Sequence, residues 1–585
     1  MCGIAGIMTY DDVEPDREKL VAMKLALAHR GPDGEAIWRS DNIGLVHTRL
    51  AIVDLETGDQ PLFGPAGTVL VANGEIYNHV ELRAETPHTE YQTHSDCEPV
   101  LHYYSNHGLD FCEWLRGMYA LAIFDPRERR LIISRDPFGI KPLYYVQSEE
   151  GFAFASEPQA LLAAGFGSRS PEERRVEELL HLQFTTGAET IYTGIKRLLP
   201  GETIVISGGR IVDRRRQASL PGGGPIKTAT VNALDRLEAV LLDSVDVHQR
   251  SDVPYAMFLS GGVDSAVVLA LMARLNERPV TAYTAGFPGT GVADERNHAG
   301  SIAQALGARH IEITFDEKDF WTLLPPIVGA MDEPVADYAI LPTWKLARTA
   351  ARDHKVILSG EGGDEMFGGY GRYRKLMRPV WLGGRSMRLR GRLDGLGILR
   401  DQDTAWRDGI VVSETAEAQH DRTRLQVAQA VDCMDWLPND LLTKLDRCLM
   451  AHGVEGRTPF LDPAVANLAF RLPDSMKVRR GHGKWILRTW LDRAVPNAKA
   501  FDRKKGFTVP VGEWISRRGA LIGGLVARQP GIAERCDPAA VEALFSATGK
   551  RESFAAWTLL FFALWHQHHI LGNSAEGDAF EALAL

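Results

Sequence analysis

The sequence predicts a sheet-rich α+β domain at the N-terminal end of the chain, followed by an α/β domain built on a parallel sheet with added helices. Short β-prone runs separated by turn residues fill the chain up to about residue 205. A glycine- and arginine-rich stretch then interrupts the pattern, and from about residue 231 strand and helix patterns alternate. At 585 residues the chain is also longer than one hydrophobic core usually organises.

The N-terminal runs favour a domain in which sheets dominate and a few helices lie on them. Long helical periods are scarce in this part, and EPVLHYYSNHG (98–108) is the clearest of them. The β-prone runs are NIGLVHTRLAIVDL, GTVLVANGEIYN, MYALAIFD, RRLIISRD, PLYYVQ and GFAFASE.

The interruption lies in SGGRIVDRRRQASLPGGGPIKTAT (207–230). Its arginine triplet and the three glycines before Pro225 indicate a linker between domains. We therefore expect a first domain over residues 1–207, a linker over 208–230 and a second domain over 231–585.

The second domain opens with alternating strand and helix patterns, which predict a parallel sheet with helices on its faces. In such a sheet ligands bind at the carboxyl ends of the strands. From about residue 365 the remaining chain is expected to be mostly helical. The alternating pairs are VPYAMFLS with SAVVLALMARL, PVTAYTAGF with ERNHAGSIAQALG, and RHIEITF with a helical stretch, and KVILSG closes the series.

Composition and charge exclude several classes of protein. A net charge of −10 over the whole chain provides no broad basic surface for nucleic acid. The first residues lack a secretory pattern, and the apolar runs are interrupted or too short to span a bilayer. The 6 cysteines contain no CxxC pair, which favours a reducing compartment. We therefore expect a cytoplasmic protein without nucleic-acid or membrane partners.

A glycine-rich loop, LSGGVDS (259–265), sits where a strand pattern ends and a helix pattern begins. Gly261 and Gly262 allow close approach of the backbone to an anion, and the helix N-terminus supplies unpaired N–H groups. Asp264 within this cradle indicates a Mg²⁺ ion that accompanies a nucleotide. Since the GxxxxGK[ST] signature is absent, the loop is expected to hold pyrophosphate while the bond at the α-phosphate breaks.

A second loop, SGEGGDEMFGGYGRY (359–373), is again rich in glycine and acidic residues. If both loops lie at neighbouring strand ends, Asp264 and Asp364 form a two-carboxylate Mg²⁺ site. Further along, GHGKWILR supplies Lys484, a cation for charge that develops on phosphate in the transition state.

LSGGVDS, SGEGGDE, GVEGRTPFLD and KWILR, in this order, resemble the synthetase domain of the asparagine synthetases, members of the ATP-pyrophosphatase (PP-loop) superfamily. The resemblance implies that Glu361 is the general base when ammonia attacks an acyl-adenylate, and that Lys484 lies near the pyrophosphate. The ATP-binding residues it implies are Leu259, Ser260, Gly261, Gly262, Asp264, Ser265, Ser359 and Gly360.

The chain begins MCGIAGIMTY, so removal of Met1 would leave Cys2 with both a thiol and a free α-amine, that is, a nucleophile and a base in one residue. An α-amine titrates near pH 8, so part of it is already a free base at neutral pH. Five motifs then follow in order: MCGIAG, HRGPDG (29–34), HTRLAIVDL (47–55), NGEIYN (73–78) and HSDCE (94–98).

Together these motifs resemble the glutaminase domain of the N-terminal-nucleophile (Ntn) hydrolases, an αββα sandwich. The resemblance implies that Cys2 attacks the side-chain amide of glutamine and that Asn73 and the N–H of Gly74 form the oxyanion hole. Arg49 would hold the α-carboxylate of glutamine and Asp96 its α-ammonium. The complete glutamine-binding set is Arg49, Ile52, Val53, Asn73, Glu75 and Asp96.

The two resemblances imply glutamine-dependent, ATP-dependent synthesis of asparagine from aspartate, with ammonia carried internally between the sites and a homodimer as one option for assembly. In MDEPVADYAILPT (331–343), Tyr338 and Ala339 stand where many relatives carry small hydroxyl residues. This departure leaves open an amidotransferase acting on another carboxylate, in a peptide or linked to a sugar. A sugar-phosphate or phosphoribosyl amidotransferase fits the first domain only, and a catalytically silent regulator would be expected to lose Cys2, Asp264, Glu361 or Lys484.

Two other features are given structural interpretations. His566, His568 and His569 close an apolar helix, where histidines interact favourably with the carbonyl end of the helix dipole. Cys97 and the remaining cysteines are expected to be buried and inert.

Overall fold

The structure, a computed structural model, describes residues 2–10, 13–292, 294–401, 405–502, 508–574 and 576–584. Its N-terminal part contains two six-stranded sheets, and its C-terminal part contains one sheet of five strands. The helices outside the sheets are most numerous after residue 360.

The first N-terminal sheet has the strand order β10-β8-β9-β1-β3-β2 and the second has β12-β11-β7-β6-β5-β4. The pairings within both sheets are antiparallel. The strands are β1 (Gly3–Thr9), β2 (Gly34–Ser40), β3 (Ile43–Arg49), β4 (Leu62–Phe63), β5 (Val69–Ile76), β6 (Gly117–Asp125), β7 (Arg130–Arg135), β8 (Tyr144–Ser148), β9 (Gly151–Ala155), β10 (Lys196–Arg197), β11 (Glu202–Ser207) and β12 (Arg210–Arg216).

The two sheets pack face to face with helices on both outer sides. Alternate residues of β1 show why: Ile4 and Met8 join the core between the sheets, whereas Ala5 and Ile7 join the core on the other face, because successive side chains of a strand point to opposite faces. That outer core contains α1 (Arg17–Ala26), α4 (Pro158–Ala163) and α5 (Glu173–Leu182). The outer face of the second sheet packs on α2 (His79–Glu85) and α3 (Glu98–His107). The predicted αββα sandwich is confirmed.

The C-terminal sheet is parallel, with the order β15-β14-β13-β16-β17. The strands are β13 (Tyr255–Phe258), β14 (Thr281–Gly286), β15 (Arg309–Thr314), β16 (Val356–Leu358) and β17 (Glu455–Arg457). Chain order reverses between the neighbours β13 and β16, and this is the point at which open parallel sheets bind ligands. Because the loops after these two strands carry the two glycine-rich motifs, the fold brings the motifs together.

Helices cover both faces of the parallel sheet and extend beyond it. Asp432–Leu442 and His566–Ile570 are π-helical, the first lying between α14 and α15. The helices of this part are α6 (Thr230–His248), α7 (Val263–Leu275), α8 (Arg296–Ala305), α9 (Glu317–Gly329), α10 (Ile340–Ala350), α11 (Gly363–Phe367), α12 (Gly371–Leu376), α13 (Asp408–Glu417), α14 (Arg424–Val431), α15 (Thr443–Met450), α16 (Pro463–Arg471), α17 (Asp474–Lys477), α18 (Trp485–Ala494), α19 (Val511–Arg517), α20 (Gly519–Ala527), α21 (Pro530–Ala533), α22 (Pro538–Phe545), α23 (Lys550–Trp565) and α24 (Ala579–Ala584).

Two local expectations were wrong. Residues 210–216, expected within the linker, form β12 at the edge of the second sheet, where Arg214 is held by Glu202 at 2.8 Å and by the hydroxyl of Tyr145 at 3.0 Å. An edge strand tolerates such charges because one side of it faces solvent. The parallel series also continues past KVILSG, since the short strand β17 pairs with β16 from within the region expected to be helical. None of the described helices is both long and apolar enough to cross a membrane.

Candidate active sites

Cys2 lies directly before the central strand β1 and is 8% exposed. Its backbone N–H donates to Oδ1 of Asn73 at 3.1 Å, and its carbonyl accepts from Nε of Arg30 at 3.2 Å. Burial raises the pKa of the Cys2 thiol. The thiol therefore needs a base before it can act as a nucleophile at neutral pH, and the fate of Met1 lies outside the described residues.

Asn73 and Gly74 lie on β5 of the second sheet, facing the end of the first. Asn73 is fully buried, and within the described chain its Nδ2 has no hydrogen-bond partner. A buried donor left unpaired costs about 1–3 kcal/mol, which favours a position reserved for a ligand. Gly74 has no substitute there, because a Cβ would overlap the carbonyl of Met118 on β6.

The other residues predicted to bind glutamine lie on β3, on the segment after it and beside β5. Arg49, at the end of β3, is 8% exposed and pairs with the exposed Asp59 at 2.7 Å. Asp96 is buried and accepts from the N–H of Ile76 at 2.6 Å, and burial raises the pKa of its carboxyl group. Ile52 is buried and Val53 half-buried in the segment after Arg49.

Glu75 also follows Asn73 on β5, but its carboxylate is engaged across the domain boundary. It lies 3.2 Å from Arg457 at the end of β17, which in turn binds Glu455 at 2.6 Å. Burial, followed by the charge of Glu455, raises the pKa of Glu75 well above its usual range. The structure thus places Glu75 at the contact between the two halves of the chain.

The second site begins at LSGGVDS, which connects β13 to α7. Oγ of Ser260 and Oγ of Ser265 are 3.0 Å apart, and Ser260 Oγ also accepts from the N–H of Gly262 at 3.1 Å. The N–H of Gly261 donates to a carboxylate oxygen of Glu295 at 3.1 Å. This amide already binds an anionic oxygen, as expected of a phosphate cradle. Leu259 is buried behind the loop.

Ser359 and Gly360 follow β16 and pack directly on this loop. A Cβ on Gly360 would come within 2.9 Å of the N–H nitrogen of Ser265, so only glycine allows this approach. Ser359 is held from β17, its N–H donating to the carbonyl of Arg457 at 2.8 Å. The two glycine-rich motifs are therefore in contact at the switch point of the sheet.

Lys484 joins the two loops. Its ammonium hydrogen-bonds Oδ2 of Asp264 and lies 2.8 Å from Oδ2 of Asp364. Burial opposes the charged form, but the two carboxylates raise the pKa of Lys484 above its usual value. Lys484 itself adopts a left-handed backbone conformation, with φ at 55°, immediately before α18.

The carboxylates predicted to bind Mg²⁺ therefore converge on one cation. Since Mg²⁺ prefers oxygen ligands, Asp264 and Asp364 fit such an ion. Among the described residues, no group of three or more histidine, cysteine or acidic side chains is arranged to hold a metal. His569 at the C-terminal end is buried and hydrogen-bonded to Gln159 at 2.9 Å and to the carbonyl of Val328 at 3.1 Å.

Glu361 points toward a cation that the sequence analysis missed. Its Oε1 lies 3.1 Å from Nζ of Lys444 on α15, and the same ammonium lies 3.3 Å from Oδ2 of Asp337. Lys444 is buried, and burial disfavours its charged form. The charge of Glu361 nevertheless raises the pKa of this lysine. A lysine in a helix that begins TKLDR carries no local signal for this role, because the helix meets Glu361 only in the folded chain.

A cavity of about 610 Å³ connects these groups. Tyr338 and Ala339 line it, and the ring of Tyr338 stacks on Phe554 at 5.4 Å. Residues of the glycine-rich loops, α10, α15 and α18 contribute to its wall. One lining residue, Gln183, comes from the N-terminal half of the chain.

Comparison with known proteins assigns each half of the chain to a family. The asparagine synthase family model matches residues 236–567, and the glutamine amidotransferase domain model matches residues 1–216. The chain belongs to the asparagine synthetase family.

Members of this family resemble the chain over nearly its whole length. A relative from Mycobacterium tuberculosis, provisionally named glutamine-hydrolysing asparagine synthetase, is 35% identical over 94% of both chains. Glutamine-hydrolysing asparagine synthetase 1 of Bacillus subtilis is 30% identical over 97% of both chains. Among solved structures, the glutamine phosphoribosylpyrophosphate amidotransferase of B. subtilis covers 53% of this chain and 65% of its own at 17% identity, with a TM-score of 0.28.

In this asparagine synthetase family member the two halves are joined by buried ion pairs that the sequence analysis also missed. Arg30 is fully buried and binds Glu157 at 2.6 Å and Asp446 at 2.7 Å. Arg447, beside Asp446 on α15, binds Asp332 at 2.7 Å. Because α15 also carries Lys444, the helix that positions a cation beside Glu361 is fixed by a charge from the N-terminal half.

Proposed function

We propose that the protein makes asparagine from aspartate, using ATP and the ammonia that it releases from glutamine. One observation supports this above the others: a single cavity combines the LSGGVDS cradle, the Glu361 loop and Lys484, while the same chain holds a buried cysteine beside an unpaired amide donor. Relatives named glutamine-hydrolysing asparagine synthetase are 30% identical to the chain over 88% of its length or more.

In the glutaminase half, the sulfur of Cys2 attacks the side-chain amide carbon of glutamine. The free α-amine, once Met1 is removed, takes the thiol proton and passes it to the departing ammonia. Nδ2 of Asn73 and the N–H of Gly74 donate to the oxyanion, and water then hydrolyses the thioester to glutamate. Because burial raises the pKa of the thiol, the reaction depends on this internal base.

Glutamine is held by the groups around Asn73. Arg49 binds the α-carboxylate of glutamine, which replaces the carboxylate of Asp59 that Arg49 contacts in the structure. Asp96 binds the α-ammonium of glutamine. Ile52, Val53 and Glu75 complete the set. Since Glu75 also contacts Arg457, binding of glutamine would change the surroundings of a residue in the second half of the chain.

In the synthetase half, a carboxylate oxygen of aspartate attacks the α-phosphorus of ATP and pyrophosphate leaves. The triphosphate lies on Ser260, Gly261, Gly262, Ser265, Ser359 and Gly360, with Leu259 beneath the loop. Lys484 offsets the charge that develops on the departing pyrophosphate. Asp264 and Asp364 would hold Mg²⁺, which when bound supplies further positive charge at the phosphates.

Ammonia then attacks the acyl carbon of the aspartyl-adenylate and AMP leaves. Glu361 accepts the proton that the attacking nitrogen loses, and Lys444 holds the carboxylate of Glu361 in position. Free ammonia is mostly protonated in neutral water, so the reaction benefits from direct delivery between the two halves.

Product analysis tests the proposal directly. Purified protein with ATP, Mg²⁺, aspartate and amide-labelled glutamine should give labelled asparagine with matching amounts of AMP and pyrophosphate. Cys2→Ala should remove synthesis from glutamine and retain synthesis from ammonium salts, which serves as the control for the second site. Labelled asparagine made equally well by Cys2→Ala would contradict the assignment of the nucleophile.

The alternative is amidation of another carboxylate, and one observation favours it. Tyr338, a bulky aromatic residue in the segment that resembles the acceptor-side loop of the family, lines the cavity and stacks on Phe554. Glutamate release and ATP turnover that require a peptide or sugar-linked acid rather than aspartate would establish this alternative.

A further inference from the structure

The cations that line the synthetase cavity are not equivalent. Lys444 and Lys484 are paired with carboxylates. Arg488 is held by the backbone, since its guanidinium donates to the carbonyls of Gly483 and Ala500. Arg374 lies 3.5 Å from the carbonyl of Gly369. For Arg392 there is no carboxylate within 4 Å anywhere in the described ranges.

Arg392 is instead oriented by neutral groups. Its guanidinium donates to Oε1 of Gln183 and lies 5.3 Å from the ring centre of Phe554. Gln183 is itself fixed, because its Nε2 donates to Oδ2 of Asp440 at 2.7 Å and its carbonyl accepts from the N–H of Ala336 at 2.9 Å. A half-buried guanidinium that faces a cavity and makes no direct ion pair with a described residue is suited to bind an anionic group of a ligand.

The position of Arg392 relates it to the acceptor rather than to ATP. Asp440, Asp337 and Tyr338 are close enough to act on its charge. Asp337 lies 3.3 Å from Lys444, which lies 3.1 Å from Glu361. Arg392 therefore lies on the Asp337–Glu361 side of the cavity, whereas Lys484 and the LSGGVDS loop form the phosphate side.

We infer that Arg392 binds the α-carboxylate of the acceptor amino acid and that Gln183 is the positioning residue that orients it. This inference rests on the proposed function and narrows the acceptor to free amino acids with a second, side-chain carboxylate. An aspartate residue inside a peptide has no free α-carboxylate, because that group forms the peptide bond, and it would leave Arg392 unpaired. The inference also gives Gln183, a residue of the glutaminase half, a part in recognition of the acceptor.

The test compares aspartate with β-alanine, which is aspartate without its α-carboxylate. Pyrophosphate release is measured with ATP, Mg²⁺ and ammonium chloride, so the glutaminase half is not needed. Wild type should strongly prefer aspartate. Arg392→Ala should raise the KM for aspartate roughly 10- to 100-fold with little change in kcat, and leave the use of β-alanine unchanged, because it removes a charge-assisted hydrogen bond that only aspartate makes.

Three further variants separate this role from a structural one. Arg392→Lys keeps the charge and should recover part of the preference. Gln183→Ala should raise the KM for aspartate but not for β-alanine, although it lies in the glutaminase half, and should leave glutamine hydrolysis intact. Arg390→Ala, an exposed neighbour, is the matched control and should behave like wild type.

An unchanged ratio of aspartate to β-alanine in Arg392→Ala would overturn the inference. Failure of the proposed function looks different, because wild type would then release no pyrophosphate with aspartate. In that case pyrophosphate release is measured with a panel of free dicarboxylic amino acids and peptide-linked aspartates, to identify the acceptor. A free amino acid as acceptor, sensitive to Arg392→Ala, would support the inference, and any other result with the panel would overturn it.

Discussion

Nζ of Lys444 lies 3.1 Å from Oε1 of Glu361, although the two residues are 83 positions apart in the chain. The same ammonium contacts Asp337, so one buried cation holds two carboxylates of the cavity. A carboxylate that acts as a base must be held within hydrogen-bond reach of the proton it accepts. In the proposed mechanism Lys444 provides this positioning for Glu361.

Lys444→Gln should therefore impair amide formation at the second site. Loss of one partner of a buried charge pair costs about 2–5 kcal/mol, so we expect ammonia-dependent asparagine synthesis to fall at least about 30-fold. Glutamate release from glutamine should be unchanged. Lys375→Gln, at an exposed lysine, is the control, and equal synthesis rates in both variants would contradict the role of Lys444.

Asn73→Leu should slow glutamine hydrolysis because it removes the buried Nδ2 donor beside Cys2. Removing one oxyanion-hole donor typically lowers kcat by about 10²–10³-fold. Ammonia-dependent synthesis, measured on the same preparation, should remain and shows that the chain is folded. Loss of both activities to the same degree would point to a structural role for Asn73 instead.

Asp264→Asn should stop pyrophosphate release with either nitrogen source. The substitution removes one of the two negative charges that Lys484 bridges, and with it an oxygen ligand suited to Mg²⁺. Glutamine hydrolysis should continue, since Cys2 and Asn73 lie in the other half. Asp353→Asn, at an exposed aspartate of the same half, serves as the control. Pyrophosphate release at the wild-type rate in Asp264→Asn would remove this residue from the nucleotide site.

Asp446→Asn should destabilise the contact between the two halves. Asp446 is buried and binds both Arg30 and Arg447, at 2.7 and 2.9 Å. Breaking a buried pair by removing one charge costs about 3–5 kcal/mol. Asp408→Asn, which breaks only the exposed pair with Arg174, should cost about 0–1 kcal/mol. Urea denaturation followed by tryptophan fluorescence compares the two, and similar midpoints would show that the network contributes little.

The pH dependence of stability should depend on Lys477. Burial lowers the pKa of this lysine to about 7 from an ordinary value of 10.5. Between these values the unfolded chain binds more protons at this position than the folded chain, so stability gains from a rise in pH across this window. The gain is complete above pH 10.5 and absent below pH 7.

Lys477→Met should remove this contribution. The melting temperature of wild type should rise relative to that of the variant between pH 7 and pH 9. The lost hydrogen bonds to Gln429 and to the carbonyl of Phe470 affect the variant at both pH values, so only the change in the difference is informative. A difference that stays constant with pH would show that Lys477 is charged in the folded protein throughout this range.

Features carried by short segments could be predicted from the sequence. The order strand, LSGGVDS, helix is local, because it depends on where hydrophobic periodicity changes and where glycines permit a tight turn. The β-prone runs MYALAIFD and RRLIISRD likewise predicted the strands β6 and β7. The arginines of β12 misled the prediction, because a charged edge strand has the composition of a linker.

What only the tertiary structure decided is which distant charges meet. Lys484 reaches Asp264 across 220 positions, and Arg30 reaches Asp446 across 416. The sequence determined the two sheet-based halves, the cysteine at position 2 and the glycine-rich loops, since each depends on neighbouring residues. One cavity brings together Lys444 of α15, Arg392 and Gln183 at the end of α5. These elements are far apart in the chain, and the type and spacing of side chains within each element carry no information about contacts between them.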